Sequence, residues 1–192
     1  MKSKLEAMFL ELKDTSEMMV DLAYSSLLYD NVEIAEEVIA LNDRMEELSE
    51  KIQDEIAQVS RAMPDEVARA VVTTRLMDSI LEIAAAAKSI ADVVFRGLAE
   101  HPVLAMSIRD SDTTICLAKV APNSILAGKT LGEVSLATNS GMFVLAIRRD
   151  DDYIFGPGWN SSLEADDILI ARGPEDAVAF FKDIVDGSRT EF

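Results

Sequence analysis

The chain has 192 residues, and its 49% hydrophobic content is enough to build one domain or two small ones. Its formal net charge of -17 at pH 7 argues against a nucleic-acid partner, because phosphate binding needs clustered Lys and Arg. Acidic residues interrupt every apolar run of the N-terminus, and no stretch approaches the roughly 20 uncharged residues of a membrane span, so we expect a cytoplasmic protein with no signal peptide and no membrane insertion.

The first half of the chain has the apolar spacing of helices. Apolar residues recur every three or four positions over residues 5–26, 34–59 and 67–95, which marks one face of each helix. Asp30-Asn31 and Met63-Pro64-Asp65 are the predicted breaks. The pattern therefore predicts an antiparallel bundle of three helices of roughly 25 to 35 residues each, joined by tight turns.

The third helix differs from the other two. Its segment ILEIAAAAKSIADVVF is apolar or small nearly all the way round, which indicates burial on more than one side. A three-helix bundle leaves one face of such a helix uncovered. We therefore expect a homodimer in which helices from two chains pair.

After the third helix, the spacing changes to that of strands. His101-Pro102 is a predicted break, because the residue before a proline avoids the helical region, and we expect His101 to be structural or solvated. Residues 131–136 resemble a helical turn, and residues 174–185 a final amphipathic helix. The predicted strands are the apolar runs VLAMSIR, TTICLAKV, MFVLAIRR, DYIF and DILIAR. This half is predicted to be a compact α+β domain.

The sequence contains no recognisable catalytic motif. There is no GxSxG, GxGxxG or GxxxxGK[ST] sequence, and His101 has no obvious catalytic partner, so we expect no enzyme. Cys116 is the single cysteine, which excludes an intrachain disulfide and a thiolate zinc cluster. Because it lies in an apolar run, we expect it to be a small buried hydrophobic residue.

Two carboxylates on the second helix are candidate metal ligands. Asp43 and Glu47 are four residues apart, so they project from the same side of the helix. Oxygen-rich pairs of this kind bind Mg²⁺, Mn²⁺ or Ca²⁺. The alternative is that both belong to the solvated polar face of an acidic amphipathic helix, and spacing alone favours that alternative.

A similar pair, Asp78 and Glu82, lies on the third helix among apolar residues. If these carboxylates were buried, they would need a partner or a raised pKa. An ion pair with Arg44 or Arg75 is the simpler interpretation.

Arg148 and Arg149 end the most apolar strand, and adjacent strand residues face opposite ways. An inward arginine can clamp an anionic ligand, which makes Arg148 a candidate ligand-binding residue. The favoured alternative is an ion pair with an acid of the following turn, residues 150–152. Trp159 lies in a Gly-containing loop, where we favour a core contact that anchors the loop over an exposed interface.

Residues 103–185 resemble the TrkA-C domain of regulators of potassium conductance. The matching features are GKTLGEV, SGMFVLAIRR, the loop at Pro157, and LEADDILIARG ahead of the last helix. Family members commonly carry Gly-Asp where this chain has Asp166-Asp167, and they usually have an upstream nucleotide-binding Rossmann domain, which helices replace here. The resemblance implies that residues 101–192 form a dimerising, ligand-sensing domain that regulates cation transport, without implying NAD or ATP binding.

The same resemblance suggests where a ligand binds. Some members bind cyclic di-AMP between two such domains, and an arginine and an asparagine used there correspond to Ala137 and Phe143 in this chain. These substitutions remove the charged and hydrogen-bonding contacts to phosphates and bases. The resemblance therefore implies another small ligand in the groove between subunits, with Ala137, Phe143 and Arg148 as the candidate binding residues.

Residues 4–98 resemble a PhoU-like helical domain through ALNDRMEELSEKI and ILEIAAAAKSIADVV, and we assign residues 1–100 to it. In that family an acid-x-x-x-acid motif on each of two helices can hold metals. Asp43 and Glu47 fit the first motif. Glu82 fits the second, but Ala86 stands where its second acid belongs. The resemblance implies an incomplete metal cluster and a scaffold kept for dimerisation.

These inferences predict a regulatory protein of potassium, or other cation, transport. A homodimer would sense a small ligand or ion and act on a membrane cation channel or transporter. A divalent metal ion and a small anionic ligand are the two cofactor classes considered. The alternative is a metal-binding, PhoU-like adaptor of phosphate signalling, in which the helices carry the function.

Overall fold

The helical and strand periods of the sequence correspond to two separate units. The computed structural model describes residues 4–62, 67–98 and 113–192. It divides into Met1–Ser107 and Ile108–Phe192. The predicted break at residues 63–65, His101-Pro102 and the predicted strand at residues 103–109 lie outside the described residues. Among the helices of the described part, none is long and apolar enough to cross a bilayer.

Three long helices form the first unit, as the apolar spacing predicts. They are α1 (Lys4–Leu28), α2 (Val32–Ala62) and α3 (Val67–Phe95), and each packs against the other two. Fully burying a large apolar side chain contributes roughly 1.5–3 kcal/mol, so the bundle depends on its core. That core includes Leu12, Met19, Leu22, Ile34, Leu41, Met45, Ile52 and Met77.

The turn between α1 and α2 lies where the sequence predicts a break. Asp30 adopts a left-handed conformation with φ of 46°, which aspartate tolerates better than most residues. The side-chain oxygen of Asn31 accepts a hydrogen bond from the backbone N–H of Ile34 at 3.1 Å and caps α2. The turn and the cap together let the chain reverse within three residues of the end of α1.

The stripe predicted along α3 is only partly buried. Met77, Ala84 and Ala91 lie in the core, but Val71 and Phe95, which the sequence placed in the same stripe, are exposed. At 100° per residue, Val71 lies about a third of a turn away from Met77, and Phe95 is the last residue of the helix. The core-facing stripe is therefore shorter and narrower than the sequence suggests.

A four-stranded antiparallel sheet forms the frame of the second unit. Its strands are β1 (Thr113–Lys119), β2 (Phe143–Arg149), β3 (Asp152–Phe155) and β4 (Ile168–Pro174). Their spatial order is β1-β4-β2-β3, with an irregularity in β2 between Val144 and Ala146. Four of the five predicted strands are confirmed by this sheet.

Short helices cover one side of this sheet. The predicted helical turn is two helices, α4 (Leu131–Val134) and α5 (Leu136–Ser140). The predicted final helix is a 3₁₀ turn followed by α6 (Val178–Val185). Phe181 and Ile184 of α6 are fully buried in a core that includes Cys116, so the expectation of a buried cysteine is confirmed. The α+β class predicted for this half is confirmed.

A buried ion pair joins β2 to the turn before β4. The guanidinium of Arg149 binds the carboxylate of Asp167 through two hydrogen bonds, Nε to Oδ1 and Nη2 to Oδ2, each 2.8 Å long. Arg149 also donates to the carbonyl oxygen of Ser162 at 3.0 Å and lies 2.6 Å from a carboxylate oxygen of Glu164. For Arg149, the buried partner is therefore Asp167, which precedes β4, the strand beside β2, and not the acid of residues 150–152 that the sequence favours.

Asp167 is 1% exposed, so its negative charge depends on these partners. Its second oxygen also accepts the backbone N–H of Glu164 at 2.7 Å. The hydrogen bonds to Asp167 raise the pKa of Arg149 above its ordinary value, so the arginine stays charged. We call Arg149, Asp167 and the Glu164 backbone the Arg149 clamp.

We expect Asp167→Ala to destabilise the second unit by about 3 kcal/mol, because it leaves a partly buried arginine without its carboxylate. Asp166→Asn is the matched control: Asp166 makes only an exposed ion pair with Lys119 and has φ of 73°, which asparagine tolerates. The control should change stability by less than about 1 kcal/mol. Urea unfolding followed by the fluorescence of Trp159, the only tryptophan, measures this unit; equal effects of the two variants would contradict the prediction.

Candidate functional site

An apolar cleft of about 130 Å³ opens on the second unit where α4, α5, the start of β2 and the loop after β3 meet. An apolar cavity of about 150 Å³ in another protein holds a benzene molecule, so this cleft has room for one ring. No charged residue lines it. The lining residues are Leu131, Ser135, Leu136, Ala137, Thr138, Phe143, Val144, Pro157, Gly158 and Trp159.

Backbone pairing fixes the loop that closes this cleft. The segment 128–132 runs beside the segment 159–163 and exchanges hydrogen bonds with it. The N–H of Gly128 donates to Leu163 O and the N–H of Gly132 to Trp159 O, both at 2.8 Å. The chain therefore holds Trp159 against the start of α4 through its backbone.

A capping box fixes the start of α4. The hydroxyl of Thr130 accepts the backbone N–H of Glu133 at 3.2 Å, and a carboxylate oxygen of Glu133 accepts the backbone N–H of Thr130 at 2.7 Å. Two hydrogen bonds lower the pKa of Glu133 below its ordinary value. The larger effect comes from the backbone N–H of Thr130 and the smaller from the Thr130 hydroxyl. This T-x-x-E pattern explains why the GKTLGEV segment begins a helix at this point.

Ser135 separates α4 from α5 in a left-handed conformation, with φ and ψ both 45°. A residue with a side chain adopts this conformation at a cost of about 1–2 kcal/mol, so the surrounding hydrogen bonds must hold it. The Ser135 carbonyl accepts the N–H of Asn139, and the Asn139 side chain donates to Val134 O at 2.8 Å. The bend turns Ala137 toward the cleft.

The three predicted ligand-binding residues do not all meet at this cleft. Ala137 and Phe143 line it, on α5 and at the start of β2. Arg148 lies near the other end of β2, opposite Tyr153 of β3, and is not among the lining residues. The structure thus brings two of the three together and leaves the cleft without a cationic side chain.

Trp159 corrects one sequence expectation. Its side chain is 72% exposed, so it is not the core contact that was expected to anchor the loop. The loop is anchored by backbone hydrogen bonds instead, which leaves the ring free to cover the cleft. Phe143 is 56% exposed at the same rim. Two exposed aromatic rings therefore flank an apolar cleft.

The candidate metal residues lie on the surface of the helical unit. Asp43, Glu47 and Glu82 are all exposed, the first two on α2 and the third on α3. The Nζ atom of Lys51 lies 3.9 Å from a carboxylate oxygen of Glu47. Within residues 4–62, 67–98 and 113–192, no group of three or more potential His, Cys, Asp or Glu ligands comes together.

The arginine expected near the third helix pairs elsewhere. Arg44 binds Glu11 of α1, with 2.7 Å between its Nη2 atom and the carboxylate, instead of Asp78 or Glu82. Asp78 and Glu82 are both exposed, so water solvates their carboxylates.

Sequence reasoning missed most of the cleft. Leu131 and Leu136 were predicted only as the ends of a helical turn and Val144 only as a strand residue, and the Thr130 cap was not recognised. The T-x-x-E signature was available in the sequence and would have placed the start of α4. The contact between Trp159 and α4 could not be predicted from the sequence, because it depends on pairing between segments about 30 residues apart.

Two family models match the chain. Residues 117–186 match the TrkA-C domain and residues 9–94 match the PhoU domain. Both resemblances inferred from the sequence are confirmed. Each match lies within one unit of the structure, and the cleft lies wholly in the part that matches the TrkA-C domain.

Similar proteins include potassium regulators. The Ktr system potassium uptake protein A of Vibrio alginolyticus is 32% identical over 65 residues, which are 34% of this chain and 30% of that protein. Two solved structures also match part of this chain. The RCK_C domain dimer of S. agalactiae BusR, in complex with c-di-AMP, has 26% identity and a TM-score of 0.37, and the match covers 40% of this chain and 95% of that chain. The RCK C domain of KtrA, also in complex with c-di-AMP, has 23% identity and a TM-score of 0.34, and the match covers 50% of this chain and 96% of that chain.

We expect Gly132→Ala to displace Trp159 from the cleft. A Cβ atom at residue 132 would lie 2.9 Å from the backbone oxygen of Trp159 and 3.2 Å from its ring, so the loop must move. Overpacking of this kind costs about 1–3 kcal/mol. Gly158→Ala is the matched control, since a Cβ there meets nothing within 4 Å. The emission maximum of Trp159 and urea unfolding measure both effects, and identical spectra for the two variants would contradict the prediction.

Proposed function

We propose that this chain, in which a PhoU domain precedes a TrkA-C domain, is a non-enzymatic cytoplasmic regulator of potassium or other cation transport. It would act as a homodimer on a membrane channel or transporter. The apolar, aromatic-rimmed cleft in the TrkA-C part is the observation that carries the sensing role. The similarity to the Vibrio alginolyticus protein supports the potassium assignment, although the matched stretch spans 30% of that relative.

The chemistry of the cleft selects the class of ligand. Its lining is apolar apart from two hydroxyl side chains, Ser135 and Thr138, and it contains no Lys or Arg. An anion placed there would lose its hydration without gaining a cationic partner. A flat, uncharged ring would instead bury apolar surface against Phe143 and Trp159 and could bond to a hydroxyl. We therefore propose that the cleft binds a planar, uncharged group, either alone or as part of a larger ligand.

Ligand binding regulates a transporter only if the ligand prefers one of two arrangements of the protein. The rim of the cleft supplies a physical basis for such a preference. Phe143 and Trp159 are both exposed, so a ligand that covers them also changes the surface available to a second subunit. In this mechanism the second unit senses the ligand and the helical unit carries the response to the transporter.

Trp159 allows the ligand proposal to be tested directly, because it lies in the cleft and is the only tryptophan. Titration with adenosine, which carries a planar, uncharged ring, should change its fluorescence, whereas cyclic di-AMP should bind more weakly because its phosphates meet no cationic side chain in the cleft. Ala137→Leu should fill the cleft and weaken binding about tenfold or more, since the added methylene groups occupy the ligand's space. Ala179→Leu, at an exposed alanine on α6 outside the cleft, is the matched control and should bind normally.

Unchanged fluorescence with adenosine, or equal weakening by the two leucine variants, would contradict the ligand proposal. The transport role has its own readout. Cells that lack the chain should show altered rubidium uptake, which the unmodified chain and Ala179→Leu restore and Ala137→Leu does not. Normal uptake without the chain would contradict the transport assignment while leaving the binding result intact.

The match of residues 9–94 to the PhoU domain supports the second candidate, a metal-binding adaptor of phosphate signalling. Our proposal predicts that Asp43→Ala with Glu47→Ala changes neither metal content nor stability, because both side chains are exposed. Glu50→Ala with Asp54→Ala, an exposed pair of the same spacing on α2, is the control. Metal analysis of the purified protein decides: stoichiometric metal lost only in the first variant would favour the adaptor.

A further inference from the structure

The outward side of α3 carries an unusual row of exposed apolar residues. Val72 is 68% exposed, Leu76 55% and Ile83 48%, although such side chains are usually buried. Two small, exposed residues continue this row: Ser79 lies between Leu76 and Ile83, and Ala86 follows Ile83. We call these five residues the α3 seam.

The spacing of the α3 seam is that of helix pairing. Its members follow one another at intervals of four, three, four and three residues, which is the 3.5-residue repeat of two helices packed side by side. At 100° per residue they stay within about 40° of one line along the helix. The residues that face the bundle core, Met77 and Ala84, project from another side of α3, so the seam is not used by the helical unit itself.

We propose that the α3 seam binds the α3 seam of a second copy of this chain in antiparallel orientation. The charges beside the seam carry this choice of occupant. Arg75 and Glu82 are exposed and lie on the same flank of the seam, and neither makes an ion pair among the described residues. A two-fold axis near Ser79 places Arg75 of each copy beside Glu82 of the other, because the two residues lie at similar distances on opposite sides of that axis. The dimer would thus contain two Arg75–Glu82 ion pairs, one on each side of the two-fold axis.

Other arrangements of two α3 helices lose these ion pairs. In a parallel pair, the flank that carries Arg75 and Glu82 would lie against the opposite flank of the second copy, which carries the uncharged residues Thr73 and Ile80. In an antiparallel pair shifted by one seven-residue repeat, Glu82 would lie beside Glu82. Neither alternative pairs Arg75 with Glu82, so the charges favour one register.

Side-chain size agrees with the same register. Val72 lies beside Ile83 of the second copy, and Leu76 lies beside Ser79. A large side chain thus meets a small one at the centre, which lets the two helices approach closely, and β-branched residues pack at both ends. This contact is separate from the ligand cleft and does not depend on the proposed function.

Cross-linking of the full chain tests the contact at one position. Ser79→Cys should be joined to a second copy by a short bismaleimide, because the two residues lie near the two-fold axis. Ala85→Cys is the matched control, exposed on α3 about a third of a turn from Ser79. The unmodified chain measures the background from Cys116, which is buried. Equal cross-linking of the two variants would overturn the proposal, whether or not the chain dimerises through its second unit.

Charge reversal in the Ser79→Cys background tests the register. Arg75→Glu and Glu82→Arg should each reduce cross-linking, weakening the contact about tenfold, because each replaces two ion pairs by two repulsions. Combining the two substitutions restores both pairs with the charges exchanged and should restore cross-linking. Circular dichroism checks that all variants stay helical. A combined variant that remains as weak as the single variants, or single variants with no effect, would overturn the antiparallel register.

Discussion

The second unit depends on one buried interaction, the ion pair between Arg149 and Asp167. Burying a carboxylate as deeply as Asp167 is unfavourable unless each of its oxygens is paired, and here an arginine and a backbone N–H supply the partners. The consequence is geometric. The Arg149 clamp joins the end of β2 to the turn before β4. It therefore fixes both ends of the segment between Arg149 and Asp167, which contains β3 and the loop at Pro157. That loop closes the cleft, so the candidate site is held by a charge pair that does not itself line it.

The two units bury apolar surface in different ways, and this difference divides their roles. In the helical unit three long amphipathic helices share one core, while α3 keeps a second apolar row on its outer side. In the TrkA-C part, short helices cover one face of a small sheet and leave Phe143 and Trp159 exposed at the cleft. Among the exposed apolar residues, those of the α3 seam are suited to a helix and those at the cleft to a flat ligand.

The shape of the cleft and its chemistry are set by different parts of the chain. Ala137 and Phe143 stand where the resemblance places a charged and a hydrogen-bonding residue, and the structure shows no cationic side chain in their place. The backbone elements around the cleft are intact, including the Thr130 cap and the bend at Ser135. Shape and local hydrogen bonding therefore belong to the scaffold, whereas ligand selectivity depends on the few side chains that line it.

The sequence by itself determined the elements, because helix and strand periods, caps and turns are local properties of neighbouring residues. Three helices, the break at Asp30 and the hairpin after Arg149 follow from such patterns. Only the tertiary structure decided which distant groups meet. It chose Asp167 over the acids of residues 150–152 as the partner of Arg149, placed Trp159 on the surface, and separated Arg148 from Ala137. These outcomes depend on strand register and on pairing between remote segments, which no local spacing records.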